Sequence, residues 1–351
     1  MTTVTVIGAG PTGLTAAVEL ARLGAKVRIF EKRDGASNLS RAVGITPGSI
    51  ELLTPCGAGP AIEAEAIRFE GLTMHRGDHP VLSLPLNFDA RSSLHGLPQD
   101  RTEAHLIDAL ARYGVQVEYN RELTNLHIES DRVTACFGRH IEVSSKYLIG
   151  ADGAHSRVRT TLGIHFLGHD LPGRWSIADV HSASWPHKTR FSGYLLPQGH
   201  VCVVVPMAPD RYRVIADADD ALKALPVKMQ VDEVHRTGSF TIQVRQAEQY
   251  RKGSVFLAGD AAHVHSPVGG RGMNLGIADA ADLARRIMDG TTQGYDEARY
   301  AEGEHVIQIS ERGRRMLQSK GAAKTALFAT MSVISHTPPA QRAIVHQLLS
   351  G

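Results

Sequence analysis

A glycine-rich turn near the N-terminus limits the possible folds of this 351-residue chain more than any other feature. An apolar run from Val4 to Ile7 leads into the segment GAGPTG (8–13). Apolar residues then recur at helical spacing from Leu14 to Leu23, and a second apolar run, Val27 to Phe30, is closed by Glu31. The order strand, glycine turn, helix, strand predicts a β-α-β unit and therefore a parallel sheet.

The three glycines of this turn have the spacing of a dinucleotide-binding turn. Gly8 permits the tight turn, Gly10 lets a pyrophosphate approach the backbone, and Gly13 lets the helix pack close to the strand. The helix N-terminus offers N–H groups and the positive end of its dipole to phosphates. Glu31, 18 residues beyond Gly13, is placed to accept hydrogen bonds from ribose hydroxyls and disfavours a 2′-phosphate. The alternative is a glycine-rich turn followed by a surface glutamate.

The remaining pattern predicts further strands and two long helices. Helices are expected over 103–113 and from 272 to beyond 287. Between about 174 and 245 strand-like runs dominate, which predicts a mostly antiparallel sheet inserted into the first domain. The predicted strands after the first two are 115–119, 132–137, 140–143, 147–150, 191–196, 201–206, 212–216, 240–244 and 254–258.

Three further motifs point to chemistry at strand ends. LIGADGAHSRVR (148–159) is an apolar strand that ends at an Asp-Gly turn, and a simple turn is the alternative. VFLAGDAAH (255–263) delivers Asp260 to the C-terminal end of a strand, where open α/β sheets bind ligands, although Asp260 also suits a helix N-cap. PVGGRGMN (267–274) has three glycines in four positions before a helix, as in a close-approach loop or a flexible surface loop.

Composition excludes several classes of protein. The net charge is +2 with scattered basic residues, so a nucleic-acid footprint is not expected. No run approaches the roughly 18 apolar residues of a membrane span, and no signal peptide is visible, so we expect a cytoplasmic protein. His263 and His265 form an HxH pair without a third ligand at metal spacing, so no metal is predicted and structural histidines are favoured.

Taken together, the motifs resemble the class A flavoprotein monooxygenases with the para-hydroxybenzoate hydroxylase fold, over roughly residues 3–290. Arg41, in SRAVGI, and Gln99, in LPQDRTEAHL, match the family's arginine near the pyrophosphate and its glutamine before a helix. At Arg271 many relatives carry glutamine, and the arginine could reach the flavin, a substrate carboxylate or solvent. The matching segments are GAGPTG (8–13), EKR (31–33), GADGAHSRVR (150–159) and GDAAHVHSPVGGRGMNLGIADA (259–280).

The resemblance implies an α/β fold with some α+β elements. It would be a Rossmann-like FAD-binding domain with an inserted, mostly antiparallel substrate sheet and C-terminal helices. The implied boundaries are 1–68, 99–173 and 251–290 for the FAD-binding domain, 69–98 for part of the substrate domain or a lid, 174–250 for the substrate sheet, and 291–351 for the helical C-terminal segment.

The resemblance also implies which residues contact FAD. The implied contact residues up to position 33 would bind the adenosine diphosphate half of FAD, and Asp260 would bind its ribityl chain. The 267–274 loop would lie against the isoalloxazine ring, where a helix N-terminus would stabilise negative charge at the N1–C2 edge of the reduced flavin. No catalytic base is assigned; Tyr194 is a candidate from the presumed substrate-facing sheet, with strand surface or core as the alternative. The implied cofactor-binding residues are Gly8, Gly10, Pro11, Thr12, Gly13, Glu31, Lys32, Arg33, Arg41, Gln99, Asp152, Gly153, Gly259, Asp260, Pro267, Gly270, Gly272, Met273 and Asn274.

The implied reaction is the oxygenation of an aromatic small molecule by a monomer or homodimer. NADH or NADPH would reduce FAD, and O2 would form a flavin C4a-hydroperoxide that hydroxylates or epoxidises a phenolic substrate. A reductase of isoprenoid double bonds and a non-catalytic flavin-binding protein are alternatives. A halogenase is disfavoured because Trp175 is followed by Ser176-Ile177 and the WxWxIP motif is missing. An NAD dehydrogenase would explain only residues 8–31.

Overall fold

The computed structural model describes residues 1–37, 42–86, 93–138 and 140–349. The strands in these residues are β1 (Thr3–Ile7), β2 (Lys26–Phe30), β3 (Gly44–Ile45), β4 (Ile67–Arg68), β5 (Gly71–Arg76), β6 (His79–Pro85), β7 (His95–Gly96), β8 (Val117–Glu118), β9 (Leu123–Ile128), β10 (Val133–Phe137), β11 (Ile141–Ser145), β12 (Tyr147–Gly150), β13 (Phe166–Asp170), β14 (Trp175–His181), β15 (Arg190–Leu195), β16 (Val201–Ala208), β17 (Arg211–Ala216), β18 (Glu233–Phe240), β19 (Gln243–Ala247), β20 (Arg251–Lys252), β21 (Val255–Leu257) and β22 (His263–Val264). The helices are α1 (Pro11–Arg22), α2 (Pro47–Leu53), α3 (Ala58–Glu65), α4 (Gln99–Ala111), α5 (Arg157–Thr161), α6 (Ala221–Ala224), α7 (Gly272–Asp289), α8 (Tyr295–Leu317), α9 (Gly321–Ser335) and α10 (Pro338–Leu349).

A parallel sheet confirms the predicted β-α-β unit. Its strand order is β20-β21-β12-β1-β2-β8, and only the pairing of β20 with β21 is antiparallel. Ile7 pairs with Gly150, and Gly150 pairs with Leu257. Because these residues end three neighbouring strands, the loops that follow β1, β12 and β21 leave the sheet side by side at its carboxyl edge.

The predicted antiparallel sheet is present with seven strands, in the order β18-β14-β17-β16-β15-β5-β6. All of its pairs are antiparallel except that of β15 with β5. It therefore combines strands from residues 175–240 with two strands from residues 71–85. This agrees with an insertion that draws on both segments, while the exact domain boundaries stay predictions.

The two faces of this sheet pack into separate apolar clusters. The inner cluster contains Val43, Leu195 and Val345, so it joins the sheet to β3 and to α10. The outer cluster contains Tyr194 and Tyr212, and α6 contributes to it. Because side chains alternate along a strand, consecutive residues such as Tyr194 and Leu195 lie on opposite faces.

The observed strands differ from the predicted ones in several places, since β5, β6, β13 and β14 were not predicted. The predicted strand 240–244 is divided, since Phe240 ends β18 in the seven-stranded sheet and Gln243 begins β19 in a second sheet, β13-β19-β22. Apolar residues alternate through Phe240, Ile242 and Val244, so the sequence pattern continues across the break and hides it, although Phe240 is exposed. Strand β9 was not predicted, because within LTNLHI only Leu123 and Leu126 are buried and they do not alternate. No helix in the described residues is both long enough and apolar enough to cross a membrane.

Candidate cofactor site at the carboxyl edge of the parallel sheet

The glycine turn after β1 has the geometry that its sequence predicts. Gly8 has φ +101°, and a Cβ atom there would collide with the carbonyl group of Ala151. A Cβ atom at Gly13 would collide with the carbonyl oxygen of Gly8. Gly10 is extended, and apart from Gly10 and its two chain neighbours no described atom lies within 4 Å of the place its Cβ would take. Gly8 and Gly13 therefore serve close packing, whereas Gly10 leaves an open approach to the N-terminus of α1, as a pyrophosphate requires.

Glu31, Arg33 and Gln99 lie in one cluster beside this turn. Glu31 accepts hydrogen bonds from the backbone N–H groups of Ala9 (2.8 Å) and Arg33 (2.9 Å). The Arg33 guanidinium lies between Glu31 (Nε–Oε1 3.2 Å) and Glu103 (Nη1–Oε2 3.6 Å), and it also donates to the carbonyl oxygen of Ala9. Gln99, at the start of α4, donates to Glu103 at 2.9 Å. The cluster therefore fastens the end of β2 to the turn and to α4.

The pKa values of the two carboxyl groups in this cluster shift in opposite directions. Burial raises the pKa of Glu31, but the hydrogen bonds from Ala9 and Arg33 outweigh burial, and the pKa falls below its ordinary value. Burial raises the pKa of Glu103. Glu103 was not predicted as a site residue, although its position four residues after Gln99 on the same helix face was a usable signal.

Asp152 follows β12 and caps a helix. Its carboxylate accepts hydrogen bonds from the Ser156 hydroxyl (2.5 Å) and from the backbone N–H groups of Arg157 (2.6 Å) and Val158 (3.0 Å). Ser156 is the N-cap of α5, and Arg157 and Val158 lie in its first turn, where N–H groups lack helical partners. Burial raises the pKa of Asp152. These hydrogen bonds hold Asp152 at the sheet edge, between β12 and α5.

Arg159 links the loop after β12 to the loop after β21. It is buried and donates to the carbonyl oxygens of Ala154 and Ala261, both at 2.9 Å, while its guanidinium lies 3.8 Å from the centre of the Phe166 ring. Burial lowers its pKa. Arg159 was not predicted as a site residue, because its partner Ala261 lies 102 residues further along the chain.

Asp279 joins three elements behind the loop after β21. Its fully buried carboxylate accepts hydrogen bonds from the Gly259 backbone N–H (3.0 Å), His263 Nε2 (2.6 Å) and Arg299 Nε (2.7 Å). Burial raises the pKa of Asp279, but His263, Arg299 and Gly259 together lower it below its ordinary value. The loop, α7 and α8 are thereby tied to one carboxylate, and the first histidine of the HxH pair has a structural role.

The contact between α1 and α7 depends on two glycines. A Cβ atom at Gly259 or at Gly276 would collide with the hydroxyl of Thr12. The small residues therefore let α7 approach the N-terminus of α1. Asp260, next to this contact, is exposed at the sheet edge. Pro267, at the start of the following loop, is also exposed.

The loop before α7 is shaped by Asn274. Gly269 (φ +91°) and Gly270 (φ +62°) adopt the left-handed conformation that favours glycine. The buried Asn274 amide donates to the carbonyl oxygens of Gly44 and Gly270, both at 3.0 Å, and accepts from the backbone N–H of Thr46 at 2.9 Å. Its side chain therefore holds the loop against β3.

Comparison with known proteins identifies the cofactor. A family model described as an FAD binding domain matches residues 1–236 and 211–297. This chain belongs to that family. The cofactor of this FAD-binding protein is accordingly FAD, and the open approach at Gly10, the buried carboxylate of Glu31 and the helix N-termini of α1 and α7 fit it.

Individual relatives of the FAD-binding protein agree with this assignment. It is 30% identical to 6-methylpretetramide 4-monooxygenase of Streptomyces rimosus, over 99% of this chain and 68% of the relative. It is 31% identical to dialkyldecalin synthase of Streptomyces rugosporus, over 86% of this chain and 70% of the relative. The p-nitrophenol 4-monooxygenase structure from Pseudomonas putida DLL-E4 has the same fold, with a TM-score of 0.89 at 22% identity, covering 100% of this chain and 99% of that one. The chain spans between 62% and 68% of the length of the first curated relatives it matches.

Tyr194 does not lie where a catalytic residue of the FAD-binding protein was expected. It belongs to the outer cluster, where its ring stacks on His75 at 4.9 Å and burial raises its pKa to about 12. The inner cluster is the one near the cofactor site, since it contains Val43, whose neighbour Gly44 accepts the Asn274 hydrogen bond. Tyr194 is on the predicted sheet but on its opposite face, and we do not retain it as a candidate.

The other predicted residues are placed as follows. Arg271 does not face solvent; only 6% of it is exposed, and its Nη2 donates to the carbonyl oxygen of Gln347 at 2.6 Å. Lys32 is exposed next to the Glu31 cluster, and Met273 is buried at the start of α7. Arg41 lies outside the described residues.

Proposed function

We propose that this chain is an FAD-dependent monooxygenase that uses NADH or NADPH and O2 to hydroxylate or epoxidise an aromatic, phenolic small molecule. The observation that carries the proposal is the convergence of three loops at one sheet edge, through the register of Ile7, Gly150 and Leu257. The relative named 6-methylpretetramide 4-monooxygenase supports the reaction class. The cytoplasmic location and a monomeric or homodimeric state are parts of the proposal that rest on sequence alone.

The residues around the glycine turn would hold the adenosine diphosphate half of FAD. The open approach at Gly10 would admit the pyrophosphate to the N-terminus of α1, where backbone N–H groups and the helix dipole favour anions. Glu31 stays ionised in its buried cluster and is an acceptor for ribose hydroxyls. Arg33 and Gln99 would hold this pocket in shape through their contacts with Glu31 and Glu103.

The residues of the second half of the site would hold the ribityl chain and the flavin ring. Exposed Asp260 would bind ribityl hydroxyls, and residues 267–274 would border the ring. The N-terminus of α7 would stabilise negative charge at that ring edge, because its first N–H groups have no helical acceptors. Asn274 and Asp279 keep α7 in place for this task. Bound FAD would supply the electron transfer from nicotinamide and the activation of O2.

A second candidate function is flavin binding without net redox chemistry. It is favoured by one finding, the similarity to a protein named dialkyldecalin synthase at 31% identity. Under this alternative FAD would act as a bound structural element, and nicotinamide would not be consumed. The two candidates share the FAD site and differ in whether nicotinamide reduces the flavin.

The deciding experiment follows bound flavin through reduction and oxygen transfer. The purified chain is loaded with FAD, titrated anaerobically with NADH or NADPH while flavin absorbance is recorded, and then exposed to ¹⁸O2 with a panel of phenols. Bleaching by nicotinamide and one ¹⁸O atom per product molecule are the expected results. Bound FAD that neither nicotinamide bleaches would refute the monooxygenase proposal and favour the second candidate. A Gly10→Val variant is the matched control, because it should lack FAD and show neither signal.

A further inference from the structure

Arg271 connects the loop before α7 to the last helix of the described chain. It immediately precedes α7, and its guanidinium is almost completely buried. The Nη2 group donates to the carbonyl oxygen of Gln347, 76 residues further along, at 2.6 Å. Gln347 lies in the last turn of α10, which ends at Leu349.

This contact places a cation at the last turn of α10. The carbonyl groups at the end of a helix form the negative end of its dipole. A guanidinium that donates to one of them places positive charge at that end. Burial lowers the pKa of Arg271, because a buried cation loses hydration. The α10 carbonyl replaces part of that lost hydration.

In the described part of the chain, apolar contacts also hold α10. Val345 is buried in the inner cluster, and Ile344 and Leu348 pack partly against it. Most of the remaining described residues of α10 are exposed or partly exposed. A hydrogen bond from a charged group near the end of the helix adds to this apolar attachment.

The loop on the other side of the contact also needs support. Gly269 and Gly270 both have positive φ. Glycine loses more conformational freedom on folding than any other residue, so ordering this loop has an entropic cost. Within the described residues, Asn274 fastens one side of this loop to β3, and Arg271 fastens the other side to α10. The position of the loop therefore depends on whether α10 is docked.

We propose that Arg271 is a positioning residue that locks the FAD-facing loop to α10, so that FAD binding and docking of α10 stabilise each other. The inference rests on the proposed FAD site at residues 267–274, and it does not depend on oxygen transfer. Coupling of two binding events is reciprocal, so FAD must protect α10 to the same degree that docked α10 tightens FAD binding.

Hydrogen–deuterium exchange of the full chain with and without saturating FAD tests the proposal. In the natural chain, FAD should slow exchange in residues 338–349. In Arg271→Gln this FAD-dependent protection should be lost and the FAD dissociation constant should rise about tenfold, as expected for one hydrogen bond from a charged group. Arg271→Lys should fall between the two, because lysine keeps the charge without the planar fork. Arg312→Gln, which removes an exposed cation from α8, is the matched control and should change neither quantity.

The outcomes separate this inference from the proposed function. A natural chain that takes up no FAD overturns both. A natural chain that binds FAD while residues 338–349 exchange at the same rate with and without it overturns the inference alone. An Arg271→Gln variant that keeps wild-type FAD affinity and α10 protection does the same. If Arg271→Gln does not fold, the exchange comparison on the natural chain still decides.

Discussion

Asp279 is the residue whose replacement most sharply tests how the site is built. Its carboxylate receives donors from three elements: the Gly259 N–H and His263 Nε2 on Oδ2, and Arg299 Nε on Oδ1. Asparagine has nearly the same shape but offers one oxygen. If that oxygen accepts the hydrogen bonds of Gly259 and His263, the amide N–H groups face the Arg299 guanidinium, and two hydrogen-bond donors oppose each other. If it serves Arg299, the other two donors lose their acceptor.

The expected cost follows from the burial of this carboxylate. Breaking a buried ion pair by removing one partner costs about 3–5 kcal/mol, because the remaining charge stays desolvated. Domains are stabilised by only about 5–15 kcal/mol in total. We therefore expect Asp279→Asn to lower the free energy of unfolding of the FAD-free chain by about 3–5 kcal/mol.

Urea unfolding followed by circular dichroism measures this change. Asp282→Asn is the matched control, since Asp282 lies on the same helix but pairs with Arg285 and Arg286 near the surface, with 15% of its side chain exposed. Such pairs contribute less than about 1 kcal/mol. Equal unfolding free energies for the two variants would refute the argument that Asp279 joins the three elements.

Three further predictions concern the turn, the ribityl loop and acid stability. Gly10→Val should leave the unfolding free energy of the FAD-free chain unchanged but abolish FAD binding in a fluorescence titration. Gly13→Val should instead destabilise the fold, because its Cβ meets a backbone carbonyl. The reverse pattern would contradict the assignment. Asp260→Ala should weaken FAD binding by about 1.5–3 kcal/mol through loss of a charged acceptor, and unchanged flavin occupancy would count against that role. Burial lowers the pKa of His265 from 6.5 to about 4. The unfolded chain therefore takes up this proton first, and stability that is complete above about pH 6.5 should fall by up to about 3 kcal/mol towards pH 4. His265→Asn should flatten that part of the pH profile in urea unfolding, and the exposed His305→Asn should not.

Local features of the site were predictable because they depend on neighbours in sequence. Gly8 requires positive φ, and apolar periodicity sets the order of β1, α1 and β2. Glu31 reaches the Ala9 N–H because the turn and the end of β2 meet within one β-α-β unit. The prediction of one strand over 240–244 was wrong because a local pattern does not show which sheet a strand joins. The apolar alternation continues where the chain passes from one sheet to another.

The sequence by itself determined the parallel β-α-β unit, the glycine turn and the family resemblance, all of which follow from spacing over short distances. Only the tertiary structure decided that Arg271 donates to Gln347 and that Asp279 is shared by Gly259, His263 and Arg299. It also decided which face of the seven-stranded sheet is near the cofactor site and thereby removed Tyr194 from consideration. Alternation along a strand predicts that neighbouring side chains point to opposite faces of the sheet. Strand order and helix docking determine which face packs against which element, because partners far apart in sequence meet only when the sheets are assembled.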